Sequence, residues 1–328
     1  MCSWGGNDAL ARKKKTADKG KEIKKETPYE KLFKGKCETV KGLMTIHKTD
    51  NKVYFEIPLE LLNRDMLLGS TISETTSNWF GSVGEKPTDP LHVVFTRTDS
   101  IISLRQVNIP YETEVESLRQ RIAESTRPAV MHNFGILAYN PDSTAVVIDV
   151  SEFFLADNEL MTPFSPYAPI LGQGRWIVKE FKKDKSQLGK VKAFADNVSV
   201  QSSLSYEVNV RDGRYYYIYK LPFTAVLTRS FVLLPEKPMR PRFADPRIGI
   251  FYSNRSAFSH ENKGVETRYY ANRWRLEPVD EAAYRQGKLV EPKQPIVFYV
   301  DNAFPESWRK YIKAGVEEWQ KAFEAIGF

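Results

Sequence analysis

Alternating apolar and polar residues predict that most of the chain folds as antiparallel strands. Residues 43–48 and 53–57 are two β-prone runs separated by a polar turn, which predicts a β-hairpin. Residues 91–96 and 101–107 repeat the pattern. Further strands are predicted at 66–72, 132–139, 145–150, 176–181, 198–210, 215–221 and 225–234. Hairpins at such short intervals indicate an α+β fold that is predominantly antiparallel β, as a sandwich or as curved sheets.

Helical spacing is confined to short segments before the C-terminal end. Residues 112–125 place Val115, Leu118 and Ile122 on one helix face, and Ser151 is expected to cap a short turn at 152–155. Residues 235–247 contain four prolines, so this stretch cannot join a central strand.

The C-terminal segment has a different character. Residues 295–300 are a continuous apolar run that predicts a fully buried strand, and Pro305 then opens a helix. Its apolar positions recur at three- and four-residue steps: Trp308, Tyr311, Ile312, Val316, Trp319, Ala322, Phe323 and Ile326. Gly327 fits the stop of this helix. A lone buried strand and a one-sided helix have no partners within this segment, so we expect the chain to be truncated or the unit to dock elsewhere.

Charge is concentrated in residues 1–36. This segment has eleven basic and five acidic side chains, whereas the whole chain of 328 residues has a formal net charge of +7. We expect a disordered basic tail, either a solvated linker or a contact for an anionic surface. The N-terminus lacks the apolar core of an export signal, and no apolar run is long enough to cross a membrane.

No catalytic or metal-binding pattern is evident in the residues. The four histidines are far apart in sequence, and His260-Glu261 is followed by Gly264 where a zinc helix needs its second histidine. Cys37 has no neighbouring histidine or second cysteine, and no nucleophile elbow or phosphate-binding loop occurs.

Two polar or aromatic clusters remain as candidate sites. Arg242, Asp245 and Arg247 lie among prolines that could present them to a partner surface, although local Arg–Asp pairs in a structural linker are the alternative. Tyr215, Tyr217 and Tyr219 would share one face of a strand and form a platform for a sugar or a base. The alternative is that these tyrosines pack against a core.

Distinctive sequence blocks lie at 41–48 with 53–58, at 238–249, at 273–278, at 289–292 leading into 295–300, and at 315–323. These blocks resemble the N-terminal portion of large zinc-dependent, metzincin-like metalloproteases of Bacteroidetes, and the resemblance spans roughly residues 28–328. In that family, two N-terminal domains of unknown function precede the catalytic domain. The resemblance therefore implies a basic tail at 1–36, a small β domain at 37–77 and a β-rich accessory domain at 78–280. Residues 281–328 would be a linker plus the first strand and helix of a truncated catalytic domain.

The resemblance also implies a function. The chain would be the accessory or scaffold region of a zinc metallopeptidase, inactive alone because the zinc helix HExxHxxGxxH is absent from it. No cofactor is expected in this chain, and zinc belongs to the full-length family. The expected partners are the remainder of the catalytic domain and a peptide or protein substrate, and Arg273 and Trp274 join the candidate junction contacts. Family members are exported, as periplasmic, outer-membrane-associated or secreted proteins, so the resemblance implies export. The lack of an export signal in the sequence favours a cytoplasmic location as the alternative.

Two alternative functions stay open at this point. The first is a stand-alone β-rich module that binds a glycan or a peptide through the tyrosine-rich strand. The second is nucleic-acid binding through residues 1–36. This function predicts an affinity that falls steeply with salt concentration and no preference for a specific nucleic-acid sequence.

Overall fold

The computed structural model describes residues 26–259 and 265–328. Most of its regular structure is antiparallel β, which confirms the predicted α+β, β-rich fold class. The strands in these ranges are β1 Glu38–Val40, β2 Thr45–Lys48, β3 Val53–Pro58, β4 Met66–Thr75, β5 Leu91–Thr98, β6 Ile101–Gln106, β7 Tyr111–Thr113, β8 Ala129–Tyr139, β9 Ala145–Asp149, β10 Trp176–Phe181, β11 Gln187–Ala193, β12 Asn197–Asp212, β13 Tyr215–Leu233, β14 Tyr252–Phe258 and β15 Val265–Ala271. The helices are α1 Pro28–Leu32, α2 Glu116–Ser125, α3 Ser151–Phe154, α4 Glu281–Arg285, α5 Glu306–Glu317 and α6 Gln320–Glu324.

The chain forms two compact units. Of the described residues, the first unit combines 26–106 with 130–234, and the second combines 107–129 with 235–259 and 265–328. These units do not coincide with the predicted domains 37–77 and 78–280, because strands from both ranges share one large sheet.

The first unit is built on a twelve-stranded sheet in the order β1-β2-β3-β9-β8-β6-β5-β4-β13-β12-β10, with β11 also paired to β12. The predicted hairpins β2–β3 and β5–β6 both form, with antiparallel registers. The sheet coils until its ends approach: the Leu43 amide donates a hydrogen bond of 2.6 Å to the Phe194 carbonyl, next to the ends of β2 and β11. A nearly closed sheet results, with one face turned inward.

The hairpin β12–β13 is the longest element of this unit. Its two-residue turn contains Gly213 at φ 59°, a conformation that glycine adopts without strain. The two strands predicted at 215–221 and 225–234 are a single strand, since β12 pairs with it on both sides of Pro222. The hairpin therefore extends from the closed part of the sheet to an exposed tip.

Two apolar clusters fill the first unit. One includes Phe55, Phe95 and Phe231 inside the nearly closed sheet, and the other includes Phe80 and Phe223 on the outer half of the long hairpin. The short helix α3 adds Phe153 and Phe154 to the first cluster. The expected cap at Ser151 is wrong: no side-chain cap forms on α3, because the Ser151 hydroxyl accepts a hydrogen bond of 3.0 Å from the Val53 amide.

The last part of the predicted disordered tail is folded. Residues 1–25 lie outside the described residues, but α1 is closed by a capping box between Thr27 and Glu30. Tyr29 donates a hydrogen bond of 2.8 Å to Glu56, and Phe33 stacks on His47 at 4.0 Å between ring centroids. Burial and the Glu56 carboxylate raise the pKa of Tyr29 well above its usual range. These contacts attach α1 to the sheet.

The second unit has a three-stranded sheet in the order β15-β14-β7, in which β14 and β7 run parallel. It also contains α2 and α4 to α6. The predicted helix after Pro305 is present as α5 and α6, and Gly327 follows at φ 98°. No helix in the described part of the chain is long and apolar enough to cross a membrane.

The predicted buried strand at 295–300 is wrong. These residues belong to no strand and are mostly exposed. A strand requires a neighbour whose backbone completes the hydrogen-bond ladder. Among the described residues of the second unit, no segment supplies that neighbour.

Candidate functional site

Two adjoining cavities lie in the second unit and share one wall. Their volumes are about 720 Å³ and about 840 Å³. Trp274, Leu276, Phe323 and Phe328 line both of them. The two cavities lie side by side against these four residues, and we call the pair the arginine–tryptophan groove.

The smaller cavity is mainly apolar. Beyond the shared wall most of its lining is apolar, with Ile296, Phe298 and Trp319 among the side chains, and Glu291, Glu317 and Gln320 add polar groups. Phe298 packs edge-on against Trp274 at 6.2 Å between ring centroids. Such a cavity accommodates an apolar side chain or another flat apolar group.

The larger cavity is cationic. Arg240, Arg242 and Arg273 line it, and none of its described lining residues is acidic. The backbone holds these arginines in place: the Ala271 amide donates to the Arg242 carbonyl at 2.9 Å, and Arg273 Nη2 donates to the Arg240 carbonyl at 2.6 Å. Guanidinium groups in this arrangement favour a carboxylate or another planar anion.

The groove brings together some of the predicted junction residues and not others. Arg242, Arg273 and Trp274 line it, whereas Asp245 and Arg247 pair with each other outside its lining. Arg247 Nη2 lies 2.6 Å from Asp245 Oδ2, and hydrogen bonds from Arg247 lower the pKa of that carboxyl. Asp245 and Arg247 therefore form the local pair considered as the alternative for this segment.

The tyrosine-rich strand lies at the tip of the long hairpin, in the first unit. Tyr215, Tyr217 and Tyr219 are all exposed, so the alternative of core packing is wrong for them. Within residues 215–219, only Ile218 packs against an apolar cluster. The register between β12 and β13 shifts twice near the tip, which breaks the simple alternation of faces.

The register shift brings Tyr216 into this surface. Tyr216 contacts Tyr219 edge-on at 4.8 Å between ring centroids, and the Arg211 guanidinium lies 3.9 Å from the centre of the Tyr216 ring. Arg175 lies 3.8 Å from the centre of the Tyr217 ring. We call Tyr215, Tyr216, Tyr217 and Tyr219 the tyrosine tip. Sequence reasoning missed Tyr216 and both arginines, although the Asp212-Gly213 dipeptide is a recognisable hairpin signal.

The histidines have structural contacts in this fold. His47 lies 2.9 Å from both Thr39 Oγ1 and Glu56 Oε2, and His92 lies 2.7 Å from Asp65. Burial beside Phe134 lowers the pKa of His132, against the opposing effect of Glu152. His260 and Glu261 lie outside the described residues. Within residues 26–259 and 265–328, no group of three or more His, Cys, Asp or Glu side chains could hold a metal ion.

Comparison with known proteins identifies two families, both named for domains whose function is unknown. Residues 26–75 match the family model described as Domain of unknown function (DUF5118). Residues 84–279 match the one described as Domain of unknown function (DUF5117). No curated protein matches the chain, and no solved structure matches it. Since the match over residues 84–279 covers more than half of the chain, the protein belongs to the family described as Domain of unknown function (DUF5117).

Proposed function

We propose that this chain is the N-terminal accessory or scaffold region of a zinc-dependent, metzincin-like metalloprotease. Peptide bonds would be hydrolysed by a zinc helix of the form HExxHxxGxxH elsewhere in the full-length protein. The second unit would then hold and brace the catalytic domain. Export to the periplasm, the outer membrane or the medium belongs to the same proposal.

The observation that carries this proposal is the exposed apolar face of α5 and the turn into α6. Trp308, Tyr311 and Trp319 are 64%, 69% and 67% exposed. The periodicity of this helix is that of an element with one covered face, yet no described residue of the segment is buried there. Contiguous exposed aromatic side chains are typical of a protein–protein contact.

The segment at 295–300 supports the same role. Val297, Phe298 and Tyr299 are exposed, and this segment pairs with no strand in the described second unit. Unpaired backbone donors and acceptors are a template to which a strand of another domain can add. We propose that a strand of the catalytic domain pairs with residues 295–300, and that helices of the catalytic domain cover Trp308 and Trp319.

A binding titration tests this proposal. The chain is titrated by calorimetry with a separately expressed catalytic segment of a family metalloprotease that carries the HExxHxxGxxH helix. We expect a one-to-one complex, and we expect Trp308→Ser and Trp319→Ser each to weaken it by about tenfold or more, because buried tryptophans dominate contact energies. Trp79→Ser, which changes an exposed tryptophan of the first unit, is the matched control and should bind normally.

Two results would count against the accessory role. One is the absence of any complex with the unchanged chain. The other is stoichiometric, tightly bound zinc together with peptide hydrolysis by residues 1–328 alone, since that would make the chain itself the enzyme.

The tyrosine tip supports a second candidate function, a module that binds a glycan or a peptide. Exposed aromatic rings backed by stacked guanidinium groups are suited to stacking against a sugar face or a peptide side chain. A glycan array and a peptide array with the unchanged chain test this candidate. Tyr217→Ala and Tyr216→Ala should remove the signal, whereas Tyr252→Ala, at an exposed tyrosine of the second unit, should retain it. A blank pair of arrays removes this candidate and leaves the accessory role.

A further inference from the structure

Arg229 is a charged side chain in the interior of the large sheet. It lies on β13 in phase with Leu227 and Phe231, and its exposed fraction is 0%. An isolated cation is strongly disfavoured in such an environment unless other groups compensate its charge and its hydrogen bonds.

Only some of the hydrogen-bond donors of the Arg229 guanidinium have a partner in the protein. Arg229 Nη1 donates a hydrogen bond of 2.8 Å to the Phe154 carbonyl at the end of α3. Its Nε and Nη2 have no hydrogen-bond partner among the described residues. Burial lowers the pKa of Arg229 to about 10, although Tyr206 and Asp157 act in the opposite direction.

The carboxylate whose charge acts on Arg229, that of Asp157, is engaged elsewhere. Asp157 Oδ1 accepts a hydrogen bond of 3.0 Å from the Tyr206 hydroxyl and one of 3.1 Å from Lys179 Nζ. Asp157 forms no salt bridge with Arg229 among the described contacts, so the positive charge of Arg229 has no direct counter-ion in this part of the chain.

Two serine hydroxyls lie on the same inward face. Ser70 is directly opposite Arg229 on β4, and Ser202 lies on β12 two residues from Val200, which is the partner of Arg229 on that strand. Both serines are buried, and neither Oγ has a hydrogen-bond partner among the described residues. They interrupt rows of larger apolar side chains, Leu68 and Ile72 on β4, and Val200 and Leu204 on β12.

We propose that Arg229, Ser70 and Ser202 form an enclosed binding site for a small monovalent anion of the size of chloride. Arg229 Nε and Nη2 and a neighbouring serine hydroxyl group would donate to one ion, and its single charge would offset that of Arg229. Ser70 and Ser202 lie on the two strands that flank β13, on either side of Arg229, and each lies about 5–8 Å from it, which allows an ion held by the guanidinium to bridge to a hydroxyl group. This site is independent of the proposed protease role and would link the folded state of the first unit to the anion.

Diffraction and thermal unfolding test the site together. In crystals grown with bromide in place of chloride, we expect an anomalous peak within hydrogen-bonding distance of Arg229 Nε or Nη2. In solution, we expect the unfolding temperature to rise by roughly 2–4 °C for each tenfold increase in chloride above the dissociation constant, with gluconate holding the ionic strength constant.

Three variants separate this site from a general salt effect. Arg229→Met should remove the chloride dependence of the unfolding temperature, and the double variant Ser70→Ala with Ser202→Ala should weaken it. Ser230→Ala, on the opposite face of β13 where its hydroxyl pairs with Ser199, is the control that should retain it.

The proposal is overturned if the bromide crystal has no anomalous peak at Arg229, a result that would assign the site to buried water. It is equally overturned if chloride and gluconate give the same unfolding temperature. If Arg229→Met does not fold, the diffraction measurement on the unchanged chain still decides between a bound anion and buried water.

Discussion

Gly42→Ala is expected to destabilise the first unit by about 2–3 kcal/mol or more. A Cβ atom on Gly42 would lie 2.4 Å from the Phe194 carbonyl oxygen and 2.6 Å from the Phe194 nitrogen. Both are backbone atoms, so neither can rotate away, and the ends of the nearly closed sheet would have to separate. The hydrogen bond from the Leu43 amide to the Phe194 carbonyl would be strained by the same movement.

Urea denaturation followed by fluorescence measures this effect, with Gly69→Ala as the matched control. Gly69 lies within β4, and a Cβ atom there meets no atom within 4 Å. We therefore expect Gly69→Ala to unfold at an unchanged or slightly higher urea concentration. Equal midpoints for the two variants would show that the contact between residues 42 and 194 does not hold the sheet closed.

Phe231→Ala is expected to cost about 3–5 kcal/mol, the range typical of a truncated core phenylalanine. Phe231 is 1% exposed inside the sheet and lies between Phe95, at 5.3 Å, and Phe55, at 6.0 Å between ring centroids. Its removal leaves a cavity that strands on several sides of the sheet cannot fill without losing their register.

The same strand provides the control for this substitution. Tyr215 lies at the other end of β13 and is 81% exposed, so Tyr215→Ala should change the free energy of unfolding by no more than about 0.5 kcal/mol. Both variants are compared by urea denaturation at equal protein concentration. A loss below about 1 kcal/mol for Phe231→Ala would show that the aromatic cluster is not the centre of this core.

The hairpins could be predicted from sequence because their signals are local. Residues 43–48 and 53–57 carry both the alternation and the polar turn, and β2 and β3 form within two residues of those bounds. The prediction of two separate strands on either side of Pro222 is wrong, because the continuity of this strand does not depend on local sequence. The long partner strand β12 keeps the ladder intact there, and that partner is a tertiary feature.

The candidate sites were predictable only in part. Arg242, Arg273 and Trp274 meet in one groove although about thirty residues separate Arg242 from Arg273, and only the resemblance pointed to both. Tyr216 was missed because register shifts decide which tyrosines at the tip meet. Arg229 carried a readable signal, since it falls in phase with the buried Leu227 and Phe231.

The sequence alone determined the β-rich class, the main hairpins and the amphipathic helix after Pro305, because alternation, turn residues and helical spacing act over a few neighbouring positions. Only the tertiary structure decided that strands of both predicted domains share one nearly closed sheet, and that residues 295–300 pair with no strand in the described part of the chain. Strand pairing depends on which backbone lies alongside, and that choice joins residues as distant as Tyr54 and Asp149. The burial of Arg229 and the exposure of the tyrosine tip follow from that pairing.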